Sequence, residues 1–350
     1  MSRFDDWRET VGLEYRNGFA QWGEVKTDLI ARGTDTRQPV VSIIVPTYKR
    51  GQLLVDALQS VLAQDWTLPF EIVIVDNDPE SRRHPILLEE LPELAGANYS
   101  YYVHRENMGW IGNFNRGIEL AQAPWLTILN DDDLLDPDFL RRMFDELDND
   151  AAIDGLACRK RSFVDGAPLI QPQRHSIIHR AAYGLLTFHR YRTRTSRRIR
   201  PHHFFWTPLL GNMVGFMFRK ERALEIGGFY KEDWPSDCWF YIRFAAVCRL
   251  DQSRLVLASM RLGQNQSLNP KIAREALLDG HLVRQALVHR QVPKWYMRLA
   301  PLISARNLAE TRDFWGVEVS HEEAEIILGM TLPEDRPARY HAARFLLNGF

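Results

Sequence analysis

From residue 40 onward the chain alternates between two textures. "VVSIIVP", Val40 to Pro46, is an unbroken β-branched run. Such runs form strands covered on both faces. "LLVDALQSVLAQ" follows with apolar residues at helical spacing, and "FEIVIVD", Phe70 to Asp76, predicts a second buried strand. "YSYYVHR", Tyr99 to Arg105, predicts a third. "WIGNFNRGIELAQ" predicts a helix, and "WLTILN", ending at Asn130, a fourth strand. Strand alternating with helix predicts an α/β fold with a mostly parallel, Rossmann-like sheet and flanking helices. Ligands gather at the carboxyl ends of such strands. The endings here are "PTYKR", "DNDPES", "RENMG" and "NDDD", and all four are polar.

The flanks differ. Residues 1 to 38 are polar and rich in glycine, which predicts a helical or irregular N-terminal extension; Thr34 to Pro39 looks like a linker. "LLGNMVGFMFRKERALEIGGF" predicts a strand running into a helix that stops at Gly227-Gly228, and "SDCWFYIRFAAVC", Ser236 to Cys248, an amphipathic helix. From Ile272 helical patterns dominate, broken at Pro293, Pro301 and Pro333. Three regions result: an extension over 1–38, an α/β domain over 39–260 and a helical C-terminal region over 261–350.

Composition changes this picture only locally. The net charge is −1, from 44 basic and 45 acidic residues, so the molecule as a whole is no general polyanion binder. Yet residues 166 to 220 contain ten Lys or Arg and no acid, densest from His189 to His203. A solvated charged surface is the plain explanation. An anionic acceptor or lipid surface is the functional one, with Tyr191, Phe204, Phe205 and Trp206 interleaved for stacking. The three cysteines form no CxxC pair, which argues against a disulfide framework and for a reducing, cytoplasmic setting. No apolar h-region opens the chain and no apolar run reaches about 18 residues, so neither a signal peptide nor a membrane span is expected.

The strand endings carry the chemistry. Asp131, Asp132 and Asp133 are adjacent carboxylates that repel one another. Mg²⁺ or Mn²⁺ takes such hard oxygen ligands and keeps phosphates in its shell. An acidic turn before the helix near Pro137, capped by Asp136, is the plainer alternative, but it leaves the three upstream acids unexplained. Asp76 could accept a hydrogen bond from a nucleobase or ribose, or merely close an Asx-turn. Asn77 and Asp78 are weaker candidates. "PTYKR" is neither a GxxxxGK[ST] loop nor GxGxxG, so no glycine cradle for phosphate follows the first strand. Asp237 falls in the first turn of a helix, where the dipole favours a carboxylate; Glu232 and Asp233 compete with it.

Together these residues resemble the family 2 glycosyltransferases, which have the GT-A fold. The resemblance runs from about Val40 to about Cys248. "VSIIVPTYKR" looks like the family's first strand and loop, and "EIVIVDNDPES" its second, where "VDDGS" is common. "ENMGWIGNFNRGIELAQAPWLTILNDDDLLDP" is similar to its N-x-G…N-x-G-I…LDxDD run, and "GGF" with "SDCWFYIR" to its late GGF…ED segment. The resemblance implies transfer of a sugar, with inversion, from a nucleoside diphosphate to an acceptor hydroxyl. It divides the domain into a nucleotide-sugar half, 39–135, and an acceptor half, 136–260.

The resemblance also assigns roles. Asp76 and Asn77 meet the nucleotide, with Pro46, Thr47, Tyr48 and Arg50 lining the same pocket and Asn107, Gly109 and Asn115 beside it. The DxD element falls on Asn130-Asp131-Asp132. Asp132 is the main ligand of a divalent metal, Mn²⁺ or Mg²⁺, aided by Asp131 or Asp133, with Asp131 also near the donor. Asp237 stands where the family has its catalytic base. Two departures appear: Asn130 replaces the first acid of DxD, and Ser236 the first acid of "ED". The implied partners are a nucleotide-diphosphate sugar, UDP favoured, and a saccharide or glycolipid acceptor, with peripheral membrane contact and no nucleic acid. Trp206 and Trp239 are expected to stack on sugar or to fill the core. Two rivals are a metal-dependent phosphohydrolase or nucleotidyltransferase, and a non-catalytic nucleotide-sugar-binding protein.

Overall fold

The computed structural model describes residues 15–165, 196–206, 210–231, 237–262, 270–288, 290–315 and 317–348. One mixed sheet organises them. Its centre is four parallel strands in the order β4 (Tyr99–His104), β3 (Phe70–Asp76), β2 (Val41–Thr47) and β5 (Trp125–Ile128). Beyond β5 the sheet turns mixed. β9 (Phe216–Arg219) runs antiparallel between β5 and β7 (Gly155–Phe163), and β10 (Leu250–Arg261) runs parallel to β7. Two short strands pair antiparallel with β10: β6 (Leu134–Leu135) and β8 (Ser196–Ile199).

The β-branched runs form strands because both of their faces are covered. Every residue of β2 is buried. Val41, Ile43 and Val45 join one apolar cluster with α1 (Gln52–Leu62), while Ile44 joins the cluster on the opposite face with α3 (Gly109–Leu120). That is the two-residue alternation of a strand, read by two different layers. α3 lies close over the sheet at Gly117, where a Cβ would come within 2.3 Å of the Ile44 side chain.

The expected helical or irregular extension is corrected in part. Thr27–Arg32 is a strand, β1, pairing antiparallel with β4 at the edge of the sheet. The sequence hides it because only one side of β1 is paired, so it needs no long apolar run. Its neighbours are also tied down: Arg116 donates to the carbonyls of Trp22 and Val25, both at 3.0 Å, and Gly18 N–H donates to Gly227.

The helix after the acidic turn is α4 (Phe139–Asp148), and Asp136 is not its cap. The Asp136 carboxylate pairs with Arg161 instead. α2 (Arg83–Glu90), α5 (Lys220–Glu225) and α6 (Cys238–Val247) complete the α/β part. The last third is helical: α7 (Pro270–Leu287), α8 (Ala300–Trp315), α9 (His321–Leu328) and α10 (Pro337–Asn348). All three cysteines are buried free thiols. Among the described residues no helix is long and apolar enough to cross a membrane.

Candidate active site

The parallel register brings the polar endings to one edge. Thr47 and Asp76 are register partners at the ends of β2 and β3, and Asn77 N–H donates to the Thr47 carbonyl at 2.9 Å. β5 ends beside them and delivers the acidic turn. A cleft of about 260 Å³ opens there, lined by Thr47, Lys49, Arg50, Asp76, Ser81 and Arg83 among others. Lys49 takes a left-handed φ of 53°, rare for a residue with a side chain, and Tyr48 beside it is exposed at the mouth. Pro46 is buried within β2, so it supports the pocket rather than lining it.

The Asp76 carboxylate is buried and held. One oxygen accepts from Ser81 Oγ at 2.5 Å and Tyr101 OH at 2.6 Å, and the other from Asp78 N–H at 3.0 Å. The Asx-turn and the pocket-lining position therefore coexist. Burial and the Asp76 charge push the Tyr101 hydroxyl well above its ordinary pKa, so it stays a donor.

Asn77 is directed elsewhere. Its Nδ2 donates to Asn107 Oδ1 at 2.9 Å and the Gly109 carbonyl at 3.1 Å, and its Oδ1 accepts from Met108 N–H at 2.8 Å. Asn77, Asn107 and Gly109 thus form a brace that fixes the loop entering α3. Gly109 needs its φ of 66° there, which glycine adopts without penalty. Asn115 is a correction. Its Oδ1 and Nδ2 bond the Phe229 backbone N–H and carbonyl, at 2.9 and 2.8 Å, so its amide joins α3 to the segment after α5 and does not face a donor.

The three acids separate into two kinds. Asp131 accepts from Tyr48 N–H and Arg50 Nε, both at 3.3 Å, and Arg50 also stands 3.9 Å from Asp132. Burial lifts Asp131 to about 6, with Thr47 and Arg50 opposing, and burial likewise raises Asp132. Asp133 turns inward and is a correction to the expected ligand set. One oxygen accepts from Asn130 Nδ2 at 2.9 Å and Asn212 Nδ2 at 2.8 Å, the other from Arg261 N–H at 3.0 Å. Burial and the neighbouring Asp132 charge lift it to about 7. It anchors the turn.

Asp131 and Asp132 fit a hard divalent cation. They are adjacent, nearly buried carboxylates whose proton affinity is raised chiefly by burial, with Arg50 reaching both. Among the described residues no group of three or more His, Cys, Asp or Glu side chains is placed to hold a metal ion. A cation on one or two carboxylates would take its remaining ligands from substrate phosphates and water.

Asp237 is half-buried and precedes α6; its carbonyl accepts from Tyr241 N–H at 3.3 Å. Glu232, Asp233 and Ser236 lie outside the described residues, as does Tyr191. Two residues unforeseen in the sequence join this helix to the acidic turn. Lys160 is half-buried, donates to the Asn212 carbonyl and to Asn212 Oδ1, and feels the charges of Asp133 and Asp237; lost hydration of its ammonium lowers it to about 8. The Tyr241 hydroxyl donates to the same Asn212 carbonyl at 3.1 Å. Arg261 is a further unforeseen member. It reaches the Asp132 carbonyl at 3.0 Å and Asp56 at 2.9 Å. The signal for Arg261 is a lone charge ending an otherwise uncharged strand stretch, "VLASMRL"; Lys160 stands within the run Arg159-Lys160-Arg161, which singles out none of the three. Trp206 is wholly buried with Phe204 and Phe205 and offers no stacking face, whereas the Trp239 indole donates to Asp279 at 2.6 Å.

The sequence profile of glycosyl transferase family 2 matches residues 42–221, just over half of the chain. The chain belongs to glycosyl transferase family 2. The matched span holds β2, Asp76, the acidic turn, Lys160 and Asn212; Asp237 and Arg261 lie beyond it. The succinoglycan biosynthesis protein ExoO of Rhizobium meliloti is 33% identical over 110 residues, 31% of this chain and 30% of that protein. The putative colanic acid biosynthesis glycosyl transferase WcaA of Escherichia coli is 34% identical over 102 residues, 29% of this chain and 36% of that protein. The chain thus spans about a third of the length of these two curated relatives. An uncharacterized glycosyltransferase of Rickettsia typhi is 26% identical over 262 residues, 71% of this chain and 73% of its own.

Two solved structures share the GT-A architecture. Staphylococcus aureus TarS, residues 1–349 with UDP, superposes with a TM-score of 0.52 at 16% identity, over 81% of this chain and 76% of that one. The mannosyltransferase PcManGT from Pyrobaculum calidifontis, with GDP-Man and Mn²⁺, gives 0.51 at 18% identity over 99% and 88%. At these identities the likeness is one of fold.

Proposed function

We propose that this protein is an inverting glycosyltransferase that moves a sugar from a nucleoside diphosphate, UDP favoured, to an acceptor hydroxyl. The observation that carries the reading is the pair of adjacent, nearly buried carboxylates, Asp131 and Asp132, both reached by Arg50, at the same sheet edge as Asp76 and its cleft. In this reading Asp76, already held by Tyr101 and Ser81, takes the nucleoside end through an oxygen edge facing the cleft. Arg50 stands between the carboxylates and the cleft, where a diphosphate draws it. Asp131 and Asp132 hold a divalent cation, which when bound offsets the charge that grows on the leaving diphosphate.

Asp237 is the base. The acceptor oxygen forms the new bond at the anomeric carbon as the bond to the diphosphate breaks. The acceptor proton passes to the Asp237 carboxylate, and the nucleoside diphosphate leaves. One displacement inverts the carbon and needs no protein nucleophile. The naming of ExoO for succinoglycan biosynthesis supports a polysaccharide or its glycolipid precursor as acceptor.

The test is calorimetry with UDP-, GDP-, dTDP- and CDP-sugars, with Mn²⁺ and with chelator. One nucleotide class should bind, and binding should weaken strongly with chelator and in Asp132→Ala. Failure of the whole panel under both conditions would overturn the donor site.

A further inference from the structure

The C-terminal helices present an apolar pair that the fold has no internal reason to expose. Lys294–Leu299 is one 3₁₀ turn, a geometry in which residues three apart eclipse. Tyr296 and Leu299 therefore share one side, and both pack on the main core. The Tyr296 ring lies 5.4 Å from Phe205. Trp295 and Arg298 share the other side, and Trp295 is 47% exposed. α10 repeats the arrangement at helical spacing. Tyr340, Ala343 and Leu347 face the core, while Arg339, Ala342 and Leu346 face outward, Leu346 with 78% exposure. The two elements meet where the Tyr296 hydroxyl donates to the Leu347 carbonyl at 3.2 Å. Trp295 and Leu346 are the immediate chain neighbours of that joint.

Along the chain the charge flanking this joint is basic; the nearest acids, Glu310 and Asp335, both pair with Arg306. No acid occurs between Asp279 and Glu310, nor after Asp335, whereas these stretches hold five and three Lys or Arg. Lys294 and Arg298 are exposed beside Tyr296, and Arg339 is exposed two turns before Leu346 on the same helix. An exposed tryptophan and leucine with exposed cations on the same two elements have the make-up of an interfacial anchor: the apolar pair enters the acyl boundary and the cations meet anionic headgroups.

We propose that the surface around Trp295 and Leu346, with Lys294, Arg298 and Arg339, docks this protein on an anionic lipid membrane. The donor-site reading is not needed for this. It gives the protein a fixed attachment point outside the catalytic domain, as an enzyme with a lipid-borne substrate needs.

The experiment is co-sedimentation of the full chain with vesicles of phosphatidylcholine alone and of phosphatidylcholine mixed with phosphatidylglycerol. Binding is expected only to the anionic vesicles, and it should weaken with salt. Trp295→Ser with Leu346→Ser should lower the partition coefficient by about tenfold or more, and Lys294→Glu with Arg298→Glu similarly. All four side chains are exposed, so an unchanged melting temperature confirms intact folding. Wild-type protein that stays in the supernatant overturns the proposal. Equal sedimentation of the serine variant also overturns it and moves the attraction elsewhere, for instance to the basic tract at 189–203. Self-association that the serine variant abolishes, without vesicle binding, would place a second copy on the patch instead.

Discussion

Asn212 donates from Nδ2 to Asp133 at 2.8 Å, and its backbone carbonyl receives the Tyr241 hydroxyl at 3.1 Å. One asparagine thus connects the acidic turn after β5 to the helix that follows Asp237. Lys160 closes the connection from β7. Asp133→Ala would strand three donors, including two side-chain amides and a backbone N–H. It should cost about 2–4 kcal/mol in urea denaturation. Asp132→Ala should change stability by less than about 1 kcal/mol yet remove the Mn²⁺ dependence of nucleotide binding. The opposite pattern would make Asp133 the ligand and Asp132 the anchor.

The raised carboxylates predict a pH dependence with a definite sign. Asp131 at about 6 and Asp133 at about 7 lie above the ordinary carboxylate value in the folded protein. The native state therefore binds more protons than the unfolded chain between about pH 4 and pH 7. Stability from these groups is greatest at the acid end and falls as pH rises through that window. Mn²⁺ should raise the melting temperature at about pH 7.5, and the gain should shrink by about pH 5.5 as protons compete for Asp131. Differential scanning fluorimetry in both buffers checks this; an equal gain at the two pH values would argue against the acidic turn as the cation site.

Tyr101 orients Asp76 from beneath. Tyr101→Phe removes one of its three donors and should lower stability by about 1 kcal/mol. Nucleotide affinity should fall several-fold, because the carboxylate loses the bond that aims it. Calorimetry with the nucleotide class found for the wild type gives the comparison.

Asp237→Asn keeps the shape of the side chain and removes the proton acceptor. Donor affinity should stay within about twofold of wild type, while turnover falls by about 10²–10⁴. Unchanged turnover would direct attention to Asp233.

The part of the candidate site at the parallel strand ends is legible in the sequence because parallel strands place their ends at one edge. A run such as "FEIVIVD" names its own terminal residue, so the run alone locates Asp76, and "WLTILN" likewise locates the acidic turn. The members from the mixed half of the sheet are less legible. Lys160, Asn212 and Arg261 reach the site from β7, from the loop before β9 and from the end of β10, elements that meet only through the mixed half of the sheet. Their side chains serve neighbours distant in sequence, which no local pattern encodes. Asn115 misleads for the mirror-image reason. Its place in a familiar run suggests a ligand contact, whereas its amide is matched to the Phe229 backbone. β1 escapes because pairing on one side leaves no alternation strong enough to distinguish it from a polar linker.

That edge strand bears on how the protein can be handled. A clone started at Val40, where the catalytic pattern begins, would strip β1 from β4 and leave the Tyr99–His104 backbone with a row of unpaired amides and carbonyls. Bare edges of that kind recruit other strands, so such a clone would tend towards inclusion bodies. Soluble expression should require β1 and the segment from Gly18 to Val25 that is tied to the core, within the polar stretch that looks most dispensable.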